Sequence, residues 1–301
     1  MKHTVIIIML ALILCSPCAA ATNSEEYTLY NAGMGTLIFR EIAIMERAND
    51  VFKQWIRGES SRLDAELQLS AYIYMLDSIH GEITGIKPPS ELSALHAVYS
   101  ESSSALEQSV KKHLEFVRNN DLKSDRIREK IRSHLLGYVQ AVYDSQIRNM
   151  ESQQRYQEQM KLEKEPDSIK AYLAWNNSIL KIMTSQAGLS KEMELMLVNL
   201  STGGIDIEEA EKEEKEIRAK AETLRHQLDE IRPDSKVSEL HRQFVLSYDS
   251  YQSFHRMLTD YLDSPTREKA EKLQEITRQS NKLSFDFNEA CSRYLKEHSR
   301  R

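Results

Sequence analysis

Asp77-x-x-His80 and Glu222-x-x-x-His226 are spacings that set a carboxylate and an imidazole on one face of a helix. Such pairs can ligate a metal. Di-iron helical bundles use Glu-x-x-His twice, with two further glutamates on facing helices. Neither pair here recurs where an internal repeat would place it, because His80 falls on Arg225. No metal site is therefore expected. His113 and His134 are two further histidines placed to face a core, and haem coordination by either is a distant alternative.

Nucleophilic catalysis needs a serine or cysteine in an identifiable strained turn, and none is visible. Phosphate binding needs a glycine-rich loop after a strand, and the chain has neither. Gly33 and Gly35, in NAGMG, fall inside a helix and suit close helix packing. Cys291 reads as a small core residue. The chain is expected to have no catalytic residues and no cofactor.

Binding is better served. Tyr248, Tyr251, Phe254 and Tyr261 crowd one segment, with Phe285 and Phe287 placed to face it. They read either as packed core, with hydroxyls reaching solvent or a neighbour, or as an aromatic-lined pocket. His96 and His241 are the histidines that recur in the repeat described next. They read as a duplicated ligand or pH-sensitive site, or as boundary residues hydrogen-bonded across a corner. Tyr248, Tyr251, Phe254, His241 and His96 are the candidate ligand-binding residues.

The elements that must position them are given by a phrase written twice, IKPPSELSALH at 86–96 and IRPDSKVSELH at 231–241, an offset of 145 residues. At that offset Tyr27 falls on Tyr172, Asn31 on Asn176, Gly58 on Gly203, Ser102 on Ser247 and Ile131 on Ile276. Leu37, Ile79 and Ile83 fall on Ile182, Leu224 and Leu228. The chain reads as a tandem duplication. Ser103 and Leu106 stand where Tyr248 and Tyr251 do, so the second copy has diverged at the aromatic segment.

Each copy reads as four helices. The first stops at Gly58, or at Gly203-Gly204 in the second copy. The second stops before Pro88, or before Pro233. Ser90 is expected to cap the third helix, and Ser235 or Asp234 its counterpart. The fourth runs from about Ser124 to Glu163, or from Ser264-Pro265-Thr266 to the C-terminus. Ile207, Ala210, Glu214, Ile217, Ala221, Leu224, Leu228 and Ile231 form a seam at alternating spacings of three and four, with Glu214 its one misfit. Leu92, Leu95, Tyr99, Leu106, Val110, Leu114 and Val117 form a second stripe. Narrow stripes on long helices with short connections predict an all-α fold, an elongated tandem of up-down four-helix bundles covering 22–165 and 166–301.

Composition agrees. Nine Gly and six Pro in 301 residues are few, 29% of residues are charged and 41% are hydrophobic. That favours packed helices over sheet or disorder. The opening MKHTVIIIMLALILCSPCAAA has a basic start, an apolar run from Val5 to Leu14 and small residues at Ala19–Ala21. It reads as a secretory signal peptide at 1–21. The run is shorter than the ~20 residues that cross a bilayer. Leu14 and Pro17 precede Cys15 and Cys18 where a lipobox wants a small residue, so lipid anchoring is not expected. Cleavage near Ala21 would leave Cys291 as the one cysteine, and loss of Lys2 takes the formal charge from −6 to −7. No basic stripe exists for nucleic acid. EEAEKEEKE at 208–216 reads as a solvated helix flank. Asn176-Asn177-Ser178 and Asn199-Leu200-Ser201 are glycosylation sequons.

The expected protein is secreted or periplasmic. It would bind a small molecule or a protein partner, or serve as a structural, envelope-interaction spacer able to form homo-oligomers. An aromatic or polar cluster inside one bundle favours the first role, and an uncovered apolar stripe favours the second.

Overall fold

The computed structural model describes residues 24–158 and 166–298. The expected signal segment, with Cys15, Cys18 and the cut near Ala21, lies outside them, as do Glu163–Glu165 of the connection between the two copies.

All regular structure among the described residues is helical: α1 (Ser24–Ile56), α2 (Arg62–Gly85), α3 (Ser93–Asn119), α4 (Ile127–Glu158), α5 (Asp167–Thr202), α6 (Ile207–Glu230), α7 (Ser238–Asp263) and α8 (Arg267–His298). Single 3-10 turns, Ser90–Leu92 and Ser235–Val237, precede α3 and α7. No helix among the described residues is long and apolar enough to cross a membrane.

The element starts recur at the sequence offset: 62 and 207, 90 and 235, 93 and 238. Their local causes recur too. Gly58 and Gly203 take φ of +71° and +75°, the left-handed region in which a side chain is strained. After each, two N–H groups turn back to the helix: Gly58 to Trp55 O and Glu59 to Gln54 O, then Gly203 to Leu200 O and Gly204 to Asn199 O. Ser61 Oγ accepts from the Asp64 N–H at 3.1 Å, and Asp206 accepts from Glu209 at 2.9 Å, so each following helix starts on a side-chain cap. Ile86 and Ile231 then leave helical geometry at ψ of 129° and 122°, ahead of the prolines.

The two corners differ at one point. Ser90 does not cap α3: Pro89 precedes the 3-10 turn and offers no side-chain acceptor, while Ser90 Oγ turns to Glu91. At the equivalent place Asp234 accepts from the Lys236 N–H at 2.9 Å. A second difference from expectation is Gly33, where an added Cβ would meet nothing within 4 Å. Close helix approach does not explain that glycine.

The described chain forms two compact units. One spans 33–149; the other takes the described residues from 150 onward with the start of α1 up to Ala32. In the first unit α2 packs on α3, and Met34, Met45, Phe52, Leu69, Leu76, Val110, Val117 and Tyr143 are almost fully buried. In the second, consecutive helices α5 to α8 pack side by side and α8 closes back on α5. Its core includes Tyr172, Ile179, Met193, Ala221, Leu228, Tyr248 and Tyr251. The α6 seam is buried from Ala210 to Leu228, Glu214 included.

Candidate functional site

Pro233 and Asp234 shape a cleft in the repeated phrase that could hold a ligand. Pro233 forces the residue before it out of helix, and Asp234 starts the next turn two residues later. The corner is held against α5, where Ala171 and Ala174 leave room. The result is an open cleft of about 620 Å³ with Trp175 in its wall and Glu230, Arg232 and Asp234 among its lining residues. That volume falls within the ~300–1,000 Å³ of small-molecule sites.

Trp175 is 3% exposed, so it fixes the cleft rather than swinging into it. Its ring meets Tyr172 edge-on at 5.6 Å and Phe287 at 6.2 Å. Its indole N–H donates to His241 Nδ1 at 3.2 Å. His241 must offer a bare Nδ1 to accept that bond, and it is biased that way. Burial lowers its pKa and the Arg225 charge lowers it further, against a smaller opposing pull from Asp229. His241 is thus the residue behind the cleft wall. His96, half-buried, is also held below the ordinary histidine pKa by burial.

The aromatic segment is placed differently from the pocket reading. Tyr248, Tyr251 and Phe254 are 1%, 0% and 1% exposed and lie in the core of the α5–α8 unit. Tyr248 Oη donates to Ala221 O at 2.8 Å, and Tyr251 Oη accepts from Ser190 at 3.5 Å. Burial raises both phenol pKa values. Aromatic density marks either a core or a pocket, and only burial separates the two. Phe287 does face α7, at 5.3 Å from Phe244, whereas Phe285 is 48% exposed. The structure thus joins His241 to the cleft and keeps the three aromatics apart from it.

Sequence reasoning did not pair the members of three buried polar clusters. In the first, Ser103 Oγ donates to Glu41 Oε1, and His80 Nδ1 lies 3.2 Å from the same Oγ. The types are those of a hydrolytic triad, but the order is wrong. The serine donates its hydrogen bond straight to the carboxylate, and the histidine does not stand between them. Ser103 is also 1% exposed, so no substrate carbonyl reaches it. Burial pushes the Glu41 carboxyl up to about 7, the Ser103 bond opposes this, and Glu107 adds to it.

In the second cluster Glu214, the seam misfit, is fully buried. It accepts from Thr259 Oγ1 at 2.6 Å and lies 3.4 Å from His255 Nδ1. Arg218 donates to Thr259 at 3.2 Å. The misfit was the visible signal; its partner, on another helix, carried none. The third cluster pairs His113 Nδ1 with His134 Nε2 at 2.7 Å. Phe52 stacks on His113 at 4.3 Å and Tyr138 at 4.4 Å. The Nδ1 of His113 and the Nε2 of His134 are thus turned on each other. Burial lowers the His113 pKa well below its ordinary value, helped by His134 and Lys53, and brings His134 to about 4.

Among the described residues no three His, Cys, Asp or Glu side chains converge to hold a metal. Cys291 is buried and not part of a disulfide. Asn176, in the first sequon, is 4% exposed inside α5 and closed to a glycan. Comparison with family models, with curated proteins and with solved structures returns no match. The cleft and the clusters must be read from their own chemistry.

Proposed function

We propose that this chain is a non-enzymatic binding protein acting outside the cytoplasm, which holds a small amphipathic ligand in the cleft between α5 and the Ile231–Asp234 corner. The cleft carries the reading. Its wall combines an immobile indole with Ile231 and Pro233, and its rim combines one cation, Arg232, with two carboxylates, Glu230 and Asp234. Its lining is evenly divided between apolar and polar side chains, a composition that an amphipathic ligand matches. Export is supported by the signal-like opening of the sequence. A structural, envelope-interaction role is the second reading, favoured by the solvent-facing leucines and tyrosine of α2.

Native mass spectrometry of the mature protein, purified from its own compartment, tests the first reading. A bound ligand appears as mass lost on denaturation. Ala174→Trp, which fills the cleft from an exposed position, should abolish that extra mass with helicity unchanged. Extra mass retained in Ala174→Trp would move the ligand elsewhere, and an empty wild-type protein would remove the reading. Trp55→Phe leaves Trp175 as the sole indole, so ligand binding should also shift its emission.

A further inference from the structure

Trp175 ties the wall of the cleft to a group that can take up a proton. Its indole N–H can only donate, and His241 Nδ1 accepts from it at 3.2 Å. With Nδ1 bare, the neutral ring carries its proton on Nε2, so a second proton can enter only at Nδ1. Both ring nitrogens would then be donors, and the indole N–H would face an N–H in place of a lone pair. Trp175 is buried, and a buried donor that loses its acceptor is destabilised where it stands. Protonating His241 therefore pushes on the indole, and the indole is part of the cleft wall.

The surroundings do not offset that push. Burial opposes a proton on His241 most, Arg225 of α6 opposes it further, and Asp229 of α6 favours it. Asp229 is already engaged by Arg225, which also binds Asp249 of α7 at 2.7 Å. On the helix of His241 itself, Glu239 and Arg242 pair with each other at 2.6 Å. At the corner, Asp234 accepts from the Lys236 N–H at 2.9 Å, and Arg232 is turned onto Asp229 O. From α8, Tyr294 stacks on Tyr172 and donates to Ser168 O at 3.1 Å. These carboxylates thus already serve other donors.

We infer that His241 is a proton-operated latch on the cleft: the neutral ring holds Trp175 in the shape that binds ligand, and the protonated ring releases it. The inference rests on the cleft being the ligand site and names what regulates it. The competent form is the neutral one. Affinity is therefore full above the ordinary histidine value of 6.5 and falls as pH drops through the lower value of His241. Glu230 and Asp234 line the same cleft and also gain protons on acidification, so a test must separate them from His241.

The full mature chain is compared with His241→Asn, whose amide oxygen can accept from the indole in place of Nδ1 and does not titrate. In nitrogen-15-labelled protein the two indole resonances, assigned with Trp55→Phe, are followed from pH 8 to pH 4.5. The Trp175 signal should shift along one proton-binding curve centred below 6.5, and stay fixed in His241→Asn. The binding probe is 8-anilinonaphthalene-1-sulfonate, whose sulfonate stays ionised throughout. Cleft binding is the part of its signal that Ala174→Trp removes. Wild-type cleft binding should weaken at least about threefold from pH 7.5 to pH 5, as the competent fraction shrinks, while His241→Asn keeps its affinity. A Trp175 signal that ignores pH, or cleft affinity equal at both pH values, overturns the latch and leaves the ligand site standing. Equal weakening in His241→Asn overturns it in favour of the rim carboxylates. No binding sensitive to Ala174→Trp at either pH removes the ligand site itself, and the latch with it.

Discussion

Glu214 sits where an apolar residue would be expected, and its equivalents show what it replaces. At the 145-residue offset, Glu214, His255 and Thr259 stand against Leu69, Val110 and Leu114. One bundle fills this layer with hydrocarbon, and the other with a carboxylate, an imidazole and a hydroxyl. Removing one member strands the rest. His255→Val should cost about 1–3 kcal/mol in urea unfolding, because Glu214 keeps a buried oxygen without that partner. Replacing the layer as a set is a different experiment. Glu214→Leu with His255→Val and Thr259→Leu should return stability to within about 1 kcal/mol of wild type, since replacing all partners of a buried polar group by apolar side chains of similar shape is close to neutral. A triple variant less stable than His255→Val would mean that packing around the site, and not hydrogen-bond satisfaction, dominates it. Further residues of the same kind are Glu41 and Ser103, whose equivalents are Gln186 and Tyr248.

The elements of 33–149 bury groups that titrate in opposite senses, and this sets how the unit answers pH. His113 and His134 are held below the ordinary value of 6.5, so the unfolded chain binds more protons there and stability falls as pH drops through the window below 6.5. Glu41 and Glu46 are both pushed from 4.5 to about 7, the first chiefly by burial and the second by burial and Asp50. They work the other way. The folded unit holds protons that the unfolded chain has lost, so stability is full below 4.5 and falls as pH rises through 7. Between about 4.5 and 6.5 the two pairs cancel, and the wild-type unit should be nearly flat. Glu41→Gln should tilt that stretch upward with pH by roughly 2–3 kcal/mol, and His134→Asn should tilt it downward by a similar amount. Urea unfolding followed by Trp55, in a Trp175→Phe background, reads this unit directly. Equal slopes in the three proteins would show that these groups do not set the profile. Helix boundaries were legible in the sequence because glycine, proline and capping residues act within a few positions of themselves. The α6 seam and the α3 stripe were legible because burial follows helical period. The polar pairs were not, because His113 meets His134 and Ser103 meets Glu41 across helices, and nothing local encodes that register. The cleft was half legible: the repeated phrase and His241 pointed to the corner, while the space itself depends on Ala171 and Ala174 one helix away.

At the scale of the whole molecule the helix starts of the two units recur at the 145-residue offset, while the residues at equivalent positions differ in use. One carries an apolar outer face on α2, and the other carries a cleft at its corner. Processing would act on the same whole. If the opening segment is removed near Ala21, the mature chain has Cys291 as its one thiol, and that thiol is 1% exposed. Two measurements on exported protein then bear on one reading. The denatured mass should match a chain beginning near Thr22, with no lipid carried on Cys15 or Cys18. Thiol titration should find no fast-reacting group in the native protein and one group after denaturation, because a buried thiol meets reagent only when the core opens. A lipid-sized increment would mean cleavage before Cys15 or Cys18 with an anchor on the new N-terminal residue, and three titratable thiols would mean that the opening segment is retained. The protein would then work tethered at a membrane, with the cleft serving ligands brought to that surface.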